Sequence, residues 1–146
     1  MRSVTAFAIA FPLAMLAACQ NESVAQIADA APLEIFQPAP GSNEVLREAL
    51  SAAPGHELIV ADLALGPNAV GEAHSHPWEE YLYVLGGSAI VDIEGLDPHT
   101  LGSGEVFVIP AKTVHTPRAG PRGVRAIVIR VHDDGDPVSI PATDAR

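Results

Sequence analysis

The chain has 146 residues, with 8 Lys and Arg against 18 Asp and Glu, a formal charge of −10. That balance disfavours nucleic acid and anionic membrane surfaces as partners, and the length supports one domain of ordinary size. The single cysteine, Cys19, excludes an intramolecular disulfide framework and a cysteine metal site within the domain.

Met1-Arg2 gives a minimal positive start, and Val4 to Ala18 is apolar apart from Thr5, with Pro12 inside it. A run of about fifteen residues suits a signal-peptide core and is short for a membrane span. It ends Leu16-Ala17-Ala18-Cys19, which looks like a bacterial lipobox. That likeness implies a lipoprotein signal peptide over 1–18 and lipidation of Cys19, so the membrane would be met through acyl chains only. Gln20 rather than Asp after the cysteine points, in lipoproteins of this type, away from inner-membrane retention. The expected place is therefore the cell envelope, facing the periplasm and favouring the outer membrane. An ordinary secretory signal, giving a periplasmic or secreted protein, is the alternative. Residues 19–32 are small, polar and Ala-rich, and read as a flexible tether.

The domain is expected over 33–141, with 142–146 as a tail. Leu33 to Leu50 is ambiguous: Ser42 could cap a short helix with Val45, Leu46, Ala49 and Leu50 as its apolar stripe, and strand or irregular structure is preferred. Ala53-Pro54-Gly55 is a turn. Glu57 to Leu65 reads as a strand with Ile59, Ala61, Leu63 and Leu65 on one face. Gly66-Pro67-Asn68 suits a type II turn, since Asn tolerates the positive φ needed at its position. Glu80 to Leu85 is a strand, broken at Gly86-Gly87, and Ala89 to Ile93 is another. His99 to Leu101, Glu105 to Ile109 and Val114 to Thr116 follow. Pro117 to Gly123 reads as a loop before the last long strand, Val124 to His132. Thirteen prolines and twelve glycines punctuate these runs. About eight short strands at roughly ten-residue spacing predict an all-β sandwich or barrel.

Chemistry concentrates at His74-Ser75-His76-Pro77-Trp78-Glu79-Glu80 and at His115. Histidines at i and i+2 of an extended strand point to the same side. A carboxylate four positions on and a third imidazole from a distant strand complete three nitrogens and one oxygen. Such a set suits one divalent first-row metal and leaves coordination positions open. Glu79 neighbours Glu80, but alternation turns it to the opposite face.

His74-x-His76-x3-Glu80-x6-Gly87 and Gly104-x5-Pro110, with His115, match two motifs, G-x5-H-x-H-x3/4-E-x6-G and G-x5-P-x-G-x2-H-x3-N. They resemble the cupin superfamily, in particular small single-domain cupins of the quercetin-dioxygenase-like kind. Asn68 stands at the first motif's opening glycine, Lys112 at the second motif's later glycine, and Ala119 at its asparagine. The resemblance covers roughly Leu33 to Pro141. It implies a double-stranded β-helix, a jelly-roll-like barrel with Fe, Mn, Ni, Cu or Zn held inside by His74, His76, Glu80 and His115. It also implies a metal-dependent dioxygenase acting on a small organic substrate, with Glu80 doubling as base. A metal-containing binding or sensing protein without turnover and a sugar or keto-acid isomerase are the alternatives. Members of the family often dimerise through edge strands, so a homodimer is an expectation too.

Leu82 and Val84, on the face of Glu80, are expected to line the cavity with one face of Val106 to Ile109, making it largely apolar. Trp78 either shields the metal or packs. His56, His99 and His132 are expected to be exposed rather than liganding. Lys112, Arg118, Arg122 and Arg125 could form a rim for an anionic substrate, with plain charge balance as the blander reading.

Overall fold

A computed structural model describes residues 36–143. The expected signal peptide, Cys19, the tether and the first residues assigned to the domain lie outside the described residues. The described residues form eight strands: β1 (Gly41–Ala49), β2 (His56–Leu65), β3 (His74–Ser75), β4 (Glu80–Ile93), β5 (His99–Gly102), β6 (Val106–Ile109), β7 (His115–Asp133) and β8 (Ile140–Pro141). No helix occurs among the described residues. All pairings are antiparallel, running β1-β2-β7-β3-β8, with β4 joining β7 to β5 and β6. The sheet curls on itself as a double-stranded β-helix, the fold class expected from the sequence.

The ambiguous segment resolves as strand: β1 pairs with β2 from Gly41↔Ala64 to Ala49↔Glu57, with a register shift between Glu44 and Leu46. Two expected interruptions are absent. Gly86-Gly87 lies within β4, and Pro117 to Gly123 lies within β7, because each segment keeps its partner in the other: Gly87↔Val124, Ala89↔Ala119 and Val91↔Pro117 are paired. The chain bends there instead of breaking, through register shifts at Val84/Gly86 and Gly87/Ala89. Alternation over β4 follows the expected faces, with Glu80, Leu82 and Val84 buried and Tyr81, Tyr83 and Leu85 exposed. Inward residues of β2, β4 and β7, among them Ala61, Leu82, Val84, Val91, Ala126 and Val128, form one hydrophobic cluster.

The two substitutions at motif glycines are explained by the backbone. Asn68 (φ 57°) and Lys112 (φ 60°) are the non-glycine residues with positive φ among the described residues. Asn68 occupies the third position of a turn closed by Ala69 N donating to Gly66 O at 3.1 Å, as its sequence predicts. Lys112 has no side-chain reason to adopt that conformation; its N–H donates to His76 O at 2.8 Å, so a strained residue ties down a candidate ligand.

Gly87 shows why the first motif ends in glycine. Its φ is +74°, and an added Cβ would lie 2.0 Å from Gly123 O, whereas a Cβ at Gly86 meets nothing within 4 Å. Gly87→Ala is therefore expected to cost at least about 2 kcal/mol through overlap and left-handed strain, with Gly86→Ala near neutral. Equal denaturant midpoints for the two variants would contradict this close approach.

Candidate metal centre

Strand pairing assembles the site. His74 on β3 lies opposite His115 on β7, and the other side of His115 faces Ile93 of β4. Glu80, the first residue of β4, lies opposite Arg130 of β7. His76 follows β3 directly. The ligating atoms of His74, His76, Glu80 and His115 all lie within 4.8 Å of one another. The ring centroids of His74 and His115 are 4.5 Å apart, those of His74 and His76 4.8 Å, and those of His76 and His115 5.4 Å. His76, Glu80 and His115 are buried and His74 is half-buried, whereas Glu79 is exposed.

Each imidazole is oriented by the main chain. His74 Nδ1 lies 2.7 Å from Glu72 O, His76 Nδ1 2.5 Å from Val138 O, and His115 Nδ1 3.1 Å from Thr113 O. A carbonyl only accepts, so in the neutral ring Nδ1 carries the hydrogen and Nε2 keeps its lone pair free for a metal. At His76 this has a further consequence. Nε2 is 2.8 Å from Glu80 Oε2, yet it is buried without a hydrogen-bond partner. A lone pair on Nε2 would face Glu80 as a second acceptor. The contact therefore calls for a proton on Nε2, which makes the ring a cation donating to Glu80, or for a metal ion between the two. Three nitrogens and a carboxylate oxygen form a donor set that fits a divalent first-row ion.

Burial pushes the Glu80 carboxyl up, but the adjoining His76 ring and the charges of Arg130 and His115 outweigh it and hold the group below the ordinary carboxylate range. Burial pushes His115 down, against opposing contributions from Thr113 O and Glu80. Arg130, only 5% exposed, is also pushed down by burial and partly held up by Glu80 and Glu44. It remains a cation, as a guanidinium does in proteins.

A cavity of about 390 Å³ opens onto the four candidate ligands. Its apolar wall comes from Ile59, Ala61, Leu63 and Leu65 of β2, with Pro117 and Val128 of β7; Ser42, Glu44, Arg130 and Ser139 supply polar atoms. The expected lining is corrected accordingly. Leu82 borders only a small void of about 20 Å³ beside Glu80 and His115, and Val84, wholly buried, belongs to the hydrophobic cluster. Both sit on a face of β4 already covered by β2 and β7 side chains. Trp78 lines a separate cleft with Lys112, Asp133 and Asp136, and its Nε1 donates to Asp136 Oδ2 at 3.3 Å.

The cationic rim is not formed around this cavity. Arg118 pairs with Asp92 at 3.0 Å and Arg125 with Asp62 at 2.8 Å, while none of Lys112, Arg118, Arg122 and Arg125 lines it. The cation that does is Arg130. Parity on β7 would have found it, since Ala126, Val128, Arg130 and His132 share the inward face. The same parity corrects His132, expected to be exposed: it is wholly buried, 6.4 Å from the His76 ring by centroid, and neither ring nitrogen has a hydrogen-bond partner among the described residues. His99 is exposed as expected and stacks on Phe107, and His56 is half-buried beside Asp133.

Burial also pushes His132 down, the charges of Arg130 and His76 adding to it. His115 and His132 thus share one sign: the folded state disfavours their protonation relative to the unfolded chain, where histidine titrates near 6.5. Their contribution is complete above that pH and is lost as pH falls below it. Metal-free protein is expected to melt at lower temperature at pH 5.5 than at pH 7.5, with a shallower decline in His132→Phe. Equal melting temperatures at the two pH values would contradict the burial argument.

Residues 62–130 match the family model described as Cupin domain. The chain is 34% identical over 76 residues to 3-hydroxyanthranilate 3,4-dioxygenase of Mycosarcoma maydis, covering 49% of this chain and 42% of that protein. It is 35% identical over 74 residues to dimethylsulfoniopropionate lyase DddW of Ruegeria pomeroyi, covering 51% of this chain and 47% of that protein. The chain thus spans less than half the length of these curated relatives. Among solved structures, the oxalate decarboxylase of Lactobacillus farciminis in its formate complex superposes with a TM-score of 0.57 at 22% identity, over 75% of this chain and 34% of that one, a likeness of fold. Residues 62–130 are therefore similar to a cupin domain, and the curled all-β sheet of the described residues has the double-stranded β-helix architecture of the cupin fold.

Proposed function

We propose that this chain is a mononuclear metal-dependent enzyme acting on a small organic substrate, and that the reaction is an oxygenation. The observation that carries the reading is the ring arrangement: three imidazoles each held at Nδ1 by a main-chain carbonyl, with their ligating atoms grouped with one buried carboxylate. When bound, a divalent first-row ion supplies Lewis acidity and open coordination positions for an enolic or phenolic oxygen and for dioxygen. The protein's own part is more specific. The β2 wall excludes water from one side of the substrate, and Glu80, held ionised, is the buried carboxylate able to take a proton from an enol or phenol. The match to the 3-hydroxyanthranilate dioxygenase supports the oxygenase reading.

The match to the dimethylsulfoniopropionate lyase favours a second reading, an elimination in which the same carboxylate removes a carbon-bound proton. Oxygen uptake separates the two. Iron-, nickel- or manganese-loaded protein is expected to consume oxygen with at least one member of a panel of flavonols, diketones and aminophenols. Turnover that proceeds equally under argon would favour elimination. We further propose anchorage in the cell envelope through Cys19, on the strength of Leu16-Ala17-Ala18-Cys19.

His74→Ala and His115→Ala are each expected to lose most bound metal, measured by elemental analysis of purified protein, at least about tenfold in affinity. Stoichiometric metal in both would remove the ligand assignment. Cys19→Ser is expected to leave the detergent phase for the aqueous phase on partitioning; unchanged partitioning would rule out lipidation.

A further inference from the structure

Arg130 is the least satisfied charge in the cavity. It is 5% exposed, and its hydrogen-bonding record is thin: Nη1 lies 3.4 Å from Val138 O, 3.4 Å from His76 Nδ1 and 3.8 Å from Glu80 Oε2, while Nε has no partner. His76 Nδ1 already donates to Val138 O, so it offers Arg130 nothing. All the recorded contacts exceed the ordinary N–H···O range of about 2.7–3.2 Å. A buried guanidinium has five N–H groups in a fixed fork, and leaving them unmade is costly. The partner is missing from the protein itself.

Charge leads to the same conclusion. The ionised side chains lining the cavity are Glu44, Glu80 and Arg130. Arg47 is shared between Glu44, through Nε at 3.1 Å and Nη2 at 2.8 Å, and Glu57, so this triad keeps one net negative charge at the cavity mouth. With a dication on the four ligands, Glu44, Glu80 and Arg130 leave one net positive charge in the cavity. One bound monoanion brings it to zero.

We infer that the cavity takes a monoanionic carboxylate whose carboxyl group pairs with Arg130 while its apolar body lies along Ile59, Ala61, Leu63 and Leu65. A planar carboxylate matches the guanidinium fork, and about 390 Å³ admits an aromatic or short branched acid. Arg130 is thereby a specificity residue, one that reads the substrate's charge. The inference rests on the metal reading only for the charge count; the poorly bonded guanidinium stands without it.

The test compares benzoate with its neutral isostere benzamide by calorimetric titration of the zinc-loaded full chain, with zinc uptake measured first. Benzoate is expected to bind at least about tenfold more tightly, and Arg130→Gln with full zinc is expected to lose most of that preference. Arg130→Lys, which keeps the charge and loses the fork, should fall between. Because metal alone also favours an anion, a second readout is taken on unmutated protein: the Arg130 Nε–H resonance should shift with benzoate and stay in place with benzamide. That readout also decides the matter if Arg130→Gln does not fold or does not hold zinc. Equal affinities, a full preference surviving in zinc-replete Arg130→Gln, or benzoate binding without movement of the resonance each overturn the inference while leaving the metal centre standing. Failure to take up zinc overturns the metal reading and, with it, the charge balance.

Discussion

The antiparallel pairing of β4 with β7 is the constraint on which everything else depends. Across two register shifts, that pairing places Glu80 opposite Arg130 and Ile93 opposite His115. A carboxylate, its buried counter-cation and one candidate ligand are thus fixed by a single ladder of main-chain hydrogen bonds. A slip of one residue would turn all three to the other face of the sheet. The tight crossing of Gly87 over Gly123 lies at the register shifts where that ladder bends, and no side chain intervenes where the two backbones meet.

The site is an electrostatic compromise rather than a stable resting arrangement. Glu80 and Arg130 are both deeply buried and stand 3.8 Å apart, close enough to attract each other but too far for a hydrogen bond. His76 Nε2 and Glu80 Oε2 approach to 2.8 Å, a contact that calls for a proton or a metal ion between them. Interior polar groups ordinarily find partners. Here the strands and main-chain carbonyls impose the geometry, and their packing offsets its cost. Such unrelieved polarity is expected where a protein is shaped to receive something it does not itself supply.

Much of this was legible in the residues. His74 and His76 stood out by their i, i+2 spacing, a local property of an extended strand, while Glu80 and His115, on β4 and β7, stood out as the residues completing the motifs. The turn at Asn68 was legible because Pro and Asn suit their turn positions locally. Less accessible were features that depend on which strands become neighbours. The cavity wall comes from β2 rather than from Leu82 and Val84, since the inward face of β4 is covered by the strands across the barrel. Pro117 to Gly123 reads as a loop until its pairing with β4 is known. The cations of β7 look like one patch in sequence, yet alternate positions send Arg125 outward to Asp62 and Arg130 inward to the site.

The carbonyl oxygens of Glu72, Thr113 and Val138 that hold the three imidazoles belong to the backbone. No single side-chain replacement can delete them. Ring orientation is therefore insulated from drift elsewhere in the barrel, and the walls on β1 and β2 are free to be rebuilt for a new guest molecule while the candidate ligand set stays as it was.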